Sequence, residues 1–249
     1  MIEIHPVLGL GEIGIGDDLG RTLSGAVAEM ALKNADFLVV TQKIVSKAEG
    51  RMVALADVTP GERAAEIAST TGKDARLVEL ILMESSDVVR AQPGVLITRH
   101  KLGLVMANAG IDCSNLGPDR EDCALLLPLD PDASAAGIAD AIEHHLSVRP
   151  GVVISDSFGR PWRHGVVNVA IGCSGVPALY DKRGEVDRNG RVMQATLIAY
   201  GDLLASAAGL AMGEGTEGVP AAVVRGLTLP GAQQPASAMI RPIEEDMFR

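Results

Sequence analysis

Two aspartates stand where strand-like runs give way to small and polar residues. Asp112 lies in Asn108-Ala109-Gly110-Ile111-Asp112-Cys113-Ser114-Asn115, after an apolar run over residues 103–107. Asp156 lies in Ser155-Asp156-Ser157-Phe158-Gly159-Arg160, after a run over residues 152–155. A strand-end aspartate followed by a hydroxyl and a glycine suits a hard cation such as Mg2+ or Mn2+. It suits a turn cap equally well, and with two such sites in one chain both possibilities stay open. Beside Asp156, Gly159-Arg160-Pro161-Trp162-Arg163-His164-Gly165 holds two arginines and the only tryptophan. Guanidinium groups grip phosphate and carboxylate with two hydrogen bonds. The crowding of Arg160 and Arg163 next to a candidate cation site favours that role over plain surface charge around a half-buried indole. His164 reads as surface.

Three further segments could meet a ligand. Ser46-Lys47-Ala48-Glu49-Gly50-Arg51 offers a lysine that could reach a phosphate, although a solvated turn explains the segment as well. Met212-Gly213-Glu214-Gly215-Thr216-Glu217-Gly218-Val219 has three glycines whose N–H groups could cradle phosphates. Its two carboxylates would repel those phosphates unless cations intervene, and a helix C-cap followed by a mobile loop is the alternative. Gly9-Leu10-Gly11-Glu12-Ile13-Gly14 matches a dinucleotide-binding fingerprint. That fingerprint calls for an acid at the end of the next strand, and the run over residues 37–40 ends in Thr41-Gln42. A plain glycine-rich loop near a ligand is the better explanation in a chain with 28 glycines. No Ser-His-Asp or Cys-His order stands out, so covalent catalysis is not expected.

The bulk composition narrows the partners. The 249 residues are 47% hydrophobic, enough for a sizeable core without disulfides or a structural metal. Twenty-two basic against 32 acidic residues leave a net charge of −10, and aromatics are only 2%. Nucleic acid and anionic membranes are therefore poor partners. Cys113, Cys123 and Cys173 have no CxxC spacing, which fits reduced thiols in a cytoplasmic protein. The N-terminus has no signal-peptide pattern, and no apolar stretch reaches the ~20 residues of a membrane helix.

The elements that must position these groups follow from periodicity and punctuation. Strands are expected over residues 2–7, 37–40, 95–98, 103–107, 152–155, 166–171 and 221–225. Asp17 and Asp18 cap a helix running to about Leu32. Thr59-Pro60-Gly61-Glu62 reads as a capping box that opens a helix stopped by Gly72. Asp74 opens another helix. Further helices are expected over residues 133–146 and 195–212. Residues 181–191 read as polar turns, and the tail after Pro230 as mobile. Neighbouring strands too close for helical crossovers imply antiparallel pairing. The fold class is α+β, with mixed, largely antiparallel sheets and flanking helices. Residues 1–249 read as a single domain, with no linker to mark subdomains.

In this order the segments resemble the coenzyme F420-0:L-glutamate ligase family. The resemblance runs from Ser46-Lys47-Ala48-Glu49-Gly50 through Asn108-Ala109-Gly110-Ile111-Asp112 with Ser114-Asn115. It continues with Asp156, Gly159-Arg160, Arg163 and Gly165, then Ala170-Ile171-Gly172 with Ser174-Gly175, and closes on Met212-Gly213-Glu214-Gly215. It implies an intertwined homodimer that binds GTP, two divalent cations (Mg2+ or Mn2+), L-glutamate and F420-0, and it admits a monovalent cation. Asp112, Asp156, Ser157 and Glu214 would hold the two metals. Leu10, Gly11, Glu12, Ile13, Gln42, Lys43, Lys47 and Asn115 would line the nucleotide site. The loop of Met212, Gly213, Glu214, Gly215, Thr216, Glu217, Gly218 and Val219 would complete it. Ser157 stands where threonine is frequent, and Leu203 where relatives often have a second acid. Some relatives carry a C-terminal nitroreductase-like domain, and none is expected here. The resemblance implies that GTP phosphorylates a carboxylate and that the amine of L-glutamate displaces the phosphate. An amide ligase with another acceptor and a nucleotide-binding protein without turnover are the rival possibilities.

Overall fold

β1 (Glu3–Pro6) leads through the glycine-rich loop to α1 (Leu19–Val27). Asp18 caps α1 by accepting the Arg21 N–H at 2.9 Å, and Leu19, Leu23 and Val27 form its buried face. β2 (Phe37–Thr41) is buried on both sides and runs straight into α2 (Gln42–Ala48). The segment around Lys47 is thus a largely buried helix and not a solvated turn, because its apolar Ile44 and Val45 pack into the core. The computed structural model describes residues 1–114, 116, 117, 120 and 122–246.

The chain then builds a smaller unit: β3 (Met52–Ala54), α3 (Glu62–Thr71), α4 (Ala75–Met83), β4 (Ser85–Gln92), β5 (Val95–His100), β6 (Val105–Ala107) and β7 (Cys123–Leu125). β4, β5 and β6 form an antiparallel sheet, β3 pairs with β7, and Leu55, Val78, Ile81, Leu96 and Ile111 share a separate core. The capping box at the start of α3 does not form. Gly61 is the N-cap, and its N–H goes to Glu79 of α4 at 2.8 Å, so a tertiary bond replaces the local one. β4 escapes the sequence pattern because most of its side chains are polar or solvent-facing.

α5 (Pro131–Leu146) starts behind Asp130, which accepts the Ala133 N–H at 3.0 Å, with Pro131 at the first helical position. β8 (Gly151–Arg160) and β9 (Arg163–Ser174) form a hairpin much longer than the apolar runs that announce it. β10 (Leu179–Asp181) and β11 (Leu197–Ala199) pair with each other. α6 (Tyr200–Met212) begins later than its small-residue run suggests, because Leu197–Ala199 are taken up by β11. β12 (Ala221–Arg225) closes the main sheet, ordered β1-β12-β2-β8-β9, in which only β2 and β8 are parallel. The class is α+β with mixed and antiparallel sheets. β1 and β2, joined through the Gly9 loop and α1, both run antiparallel to β12, which lies between them, so the loop does not connect the adjacent parallel strands of a dinucleotide-binding unit.

Helices cover both faces of this sheet. α1 and α5 lie on the face of Leu38, Val40, Val152 and Ile154; α6 lies on the face of Phe37, Val39 and Val153. Against the expectation of a mobile tail, the described part is tied to the body at points: Ala236 is buried, and Asp132 Oδ1 accepts the N–H groups of Ala236 and Cys173, each at 2.7 Å. Asp246 forms an ion pair with Arg99 at 3.3 Å. Among the described residues no helix is long and apolar enough to cross a membrane.

A bulge in β9 sets the contact between sheet and α5. Ile154 faces Gly172 and Ser155 faces Ala170, so Ile171 is the extra residue and both Ile171 and Gly172 turn toward α5. A Cβ on Gly172 would stand 2.3 Å from the Pro131 carbonyl oxygen and 2.4 Å from its carbon. Backbone must move to admit it. Gly172→Ala is expected to cost about 1–3 kcal/mol, as overpacking does. Thermal denaturation measures it, and an unchanged midpoint would show that α5 can shift freely.

Candidate active site

The parallel pair β2–β8 runs up to Thr41 and Ser155 at one end of the sheet. Strand ends of this kind are a usual place for a ligand. From there the chain enters α2 on one strand and continues along the β8–β9 hairpin on the other. Gln42 opens α2 with its side chain almost fully buried, and the Ser46 hydroxyl donates to its Oε1 at 2.9 Å. That bond turns the amide nitrogen of Gln42 toward Asp156, and Nε2 is buried with no hydrogen-bond partner among the described residues.

The smaller unit delivers Asp112 to the same place. After β6 the chain turns sharply, with Asn108 and Ala109 both at φ 53°, and Asp112 bonds backbone to backbone with Leu125 in both directions. Asp112 Oδ2 lies 2.6 Å from Lys43 Nζ, and Oδ1 accepts the N–H and the hydroxyl of Ser114, each at 2.7 Å. Burial works to raise the pKa of this carboxyl; Lys43 and Ser114 outweigh it and hold the group below the ordinary carboxylate value. Asp156 ends differently. Burial pushes it up to about 7 against the pull of the Ser157 N–H, and the charge of Asp112 adds to the rise.

Strand alternation divides the four expected cation ligands into two pairs. Asp156 sits opposite Val169 and two residues before Phe158, on the α1/α5 face, with Asp112 and Lys43. Ser157 sits opposite Asn168 on the α6 face, and its hydroxyl donates to Glu214 at 2.6 Å. Asn168 donates its amide to the other oxygen of Glu214. No group of three His, Cys, Asp or Glu side chains converges on one point among the described residues. Oxygen donors in pairs still fit a hard cation such as Mg2+, which commonly takes one or two carboxylates and completes its shell with phosphate oxygens and water. Loss of solvent and the nearby charge of Asp112 are what raise Asp156 to about 7, and a bound cation would oppose both.

The expected nucleotide residues line the same region. Lys47, largely buried, has its Nζ 3.6 Å from Glu12 Oε2 in the glycine-rich loop, where Ile13 is buried and Leu10 half-buried. Gly16 N–H bonds to the carbonyl of Ala48 at 2.9 Å and ties that loop to α2. Past α6, Gly213 (φ 74°) caps the helix through the Gly209 carbonyl. In the following turn, Glu217 takes the Gly215 N–H at 2.8 Å, and backbone N–H bonds, its own first, hold its carboxyl below the ordinary value. The loop therefore aims amides at an anion, at present its own side chain. Asn115 lies outside the described residues.

Arg160 and Arg163 are not drawn into this cluster. They flank the hairpin tip, with Arg160 donating to the His164 carbonyl at 3.0 Å and Arg163 exposed. Among the described residues no ion pair joins either to a carboxylate. Trp162 is 87% exposed at φ 67° and not half-buried. His164 is exposed, as expected. Asn168 was not singled out from the sequence; a lone amide inside the apolar run Val166-Val167-Asn168-Val169-Ala170 is the signal that marks it.

Comparison with known proteins covers the whole of this architecture. Residues 8–226 match the family described as F420-0:Gamma-glutamyl ligase. The coenzyme F420:L-glutamate ligase of Methanopyrus kandleri is 44% identical over 253 residues, spanning 100% of this chain and 98% of that protein. The protein of the same name from Archaeoglobus fulgidus is 43% identical, spanning 100% and 96%. That from Haloarcula marismortui is 41% identical, spanning 100% and 96%. With more than four-fifths of its length inside the family match, and both strand-end aspartates within it, the chain belongs to the F420-0:gamma-glutamyl ligase family.

Proposed function

We propose that this protein is a cytoplasmic, GTP-dependent ligase that forms an amide between F420-0 and L-glutamate, acting as a single-domain protomer of a homodimer. The observation that supports this most is the joining of Asp112, Lys43 and Asp156, drawn from separate parts of the chain, at the end of β2 and β8. Carboxylates of Asp112, Asp156, Glu12, Glu214 and Glu217 outnumber the lysines there. A triphosphate and an anionic acceptor need that charge offset, and two cations held by Asp112 with Asp156 and by Ser157 with Glu214 would do so. When bound, they supply positive charge to the phosphates and to the acceptor carboxylate.

The chemistry proceeds in two displacements. An acceptor carboxylate oxygen attacks the γ-phosphorus of GTP, the β–γ bridging bond breaks, and GDP leaves. The neutral amine nitrogen of L-glutamate then attacks the acyl carbon, the bond to the phosphate oxygen breaks, and phosphate leaves as the nitrogen gives up one proton to solvent and keeps the other as the amide N–H. Lys47 and the amides of the Gly213–Gly218 loop bind phosphate oxygens, and Lys43 keeps Asp112 ionised. Arg160 and Arg163, at the end of the hairpin arm, grip the anionic tail of the acceptor.

The test is incubation with F420-0, L-glutamate, GTP and Mn2+, with the deazaflavin followed by mass spectrometry. Glutamyl addition that requires GTP and metal supports the proposal. Folded protein that binds GTP and metal but adds nothing to F420-0 would shift the assignment to another carboxylate acceptor. Lys47→Met is expected to weaken GTP binding by about 10- to 100-fold, the worth of one charged hydrogen bond. Calorimetry with GTP reads this directly; unchanged affinity would remove Lys47 from the phosphate site.

A further inference from the structure

Asn168 occupies an unusual place for a polar side chain. It is buried at 8% exposure in the middle of an apolar strand, under α6. Three independent features hold it there. Its cross-strand partner is Ser157. Its carbonyl accepts the Ser206 hydroxyl at 2.7 Å, which ties β9 to α6. Its side chain fills the space over Gly209, where a Cβ would stand 2.9 Å from the Asn168 Cγ and 3.0 Å from Nδ2. The amide is thus clamped between strand and helix, and its nitrogen donates to Glu214 Oε1. Glu214 itself lies on an exposed loop just beyond the helix cap. Without a fixed neighbour, that carboxylate would sample many rotamers and lose conformational entropy whenever a ligand held it.

We propose that Asn168 is the positioning residue that aims Glu214 at its cation. The inference rests on Glu214 being a cation ligand, as proposed above. Asn168 occupies one carboxylate oxygen from the buried side, so that the other stays beside the Ser157 hydroxyl. Partners of this kind orient metal ligands, and their loss commonly costs 10- to 100-fold in metal affinity.

Mn2+ titration followed by calorimetry or by electron paramagnetic resonance, without nucleotide, tests this. Asn168→Leu keeps the volume and removes the donor; Asn168→Ala is the second variant, and Glu214→Gln is the reference. Both Asn168 variants are expected to bind Mn2+ about 10- to 100-fold more weakly at one position. Their turnover is expected to return as Mn2+ is raised, with the apparent KM for metal up and kcat within about twofold, a split that a purely structural role would not produce. If Glu214→Gln weakens Mn2+ binding and a folded Asn168 variant does not, the positioning role is wrong. If Glu214→Gln also leaves Mn2+ binding unchanged, the fault lies in the ligand assignment and the inference falls with it.

Discussion

Asp156→Asn should abolish glutamyl addition and, in the absence of metal, make the protein more stable. Both effects come from one half-buried carboxyl. Its pKa in the folded protein is about 7, against 3.8 for the ordinary group. Between those values the folded chain holds a proton that the unfolded chain releases, so stability falls as pH rises through this window. That rise corresponds to a cost on the order of 4 kcal/mol, fully developed above pH 7. Asparagine carries no charge, and its amide oxygen can keep the Ser157 N–H. The advantage of the variant should therefore be small near pH 4 and several kcal/mol at pH 8. Denaturant titrations in EDTA at the two pH values measure it. Saturating Mn2+ should reverse the order, because the ionised aspartate gains a counter-ion that asparagine cannot use. Turnover should fall about a thousandfold or more, equivalent to roughly 4 kcal/mol of transition-state stabilisation. A variant that is no more stable than the native protein at pH 8 without metal would mean that Asp156 is already compensated.

That trade-off explains which parts of the site were legible in the sequence. The segments of Asp112 and Asp156 drew attention because a strand end followed by small residues is a local pattern, one that suits a cation and a turn cap alike. Glu214 and the glycines around it follow a helix, and their local pattern suits a C-cap loop equally, so only the resemblance made Glu214 a candidate ligand. The contacts that give these groups their properties are not local. Lys43 meets Asp112 only because the smaller unit folds back onto α2, and Gln42 reaches Asp156 only because β2 and β8 are parallel neighbours. The division of the proposed cation ligands into Asp112 with Asp156 and Ser157 with Glu214 follows from strand alternation through residue 160, and the sequence pattern had ended β8 at Ser155. Strands with a buried apolar face, such as β2 and β12, were found; β4, β10 and β11, short or largely exposed, were not. The capping box read at Thr59 does not form: the helix starts after Gly61, whose N–H goes to Glu79 instead.

Arg225→Met should cost about 3–5 kcal/mol of stability, the usual penalty for stranding one member of a buried ion pair. Asp36, just before β2, is 1% exposed, and Arg225 at the end of β12 forks onto it through Nε at 3.1 Å and a terminal nitrogen at 2.7 Å. The same guanidinium donates to the Met30 carbonyl at 3.0 Å, and Asp36 also takes the Lys33 N–H at 2.9 Å. One fork thus joins the last strand, the first central strand and the turn after α1. The double variant Asp36→Asn with Arg225→Met should recover much of the loss, since no charge is then left buried. Thermal midpoints are expected to drop by about 10 °C for the single variant, at roughly 2–4 °C per kcal/mol for a chain of this size. β2 and β12 carry this pair at one end and the proposed site at the other, where the Thr41 N–H bonds to the Pro220 carbonyl at 2.9 Å. Well below its midpoint, the Arg225 variant should keep its kcat and its Mn2+ affinity. Loss of Mn2+ affinity in folded Arg225→Met protein would show that the two ends of these strands are coupled, and that the sheet does more than support the site.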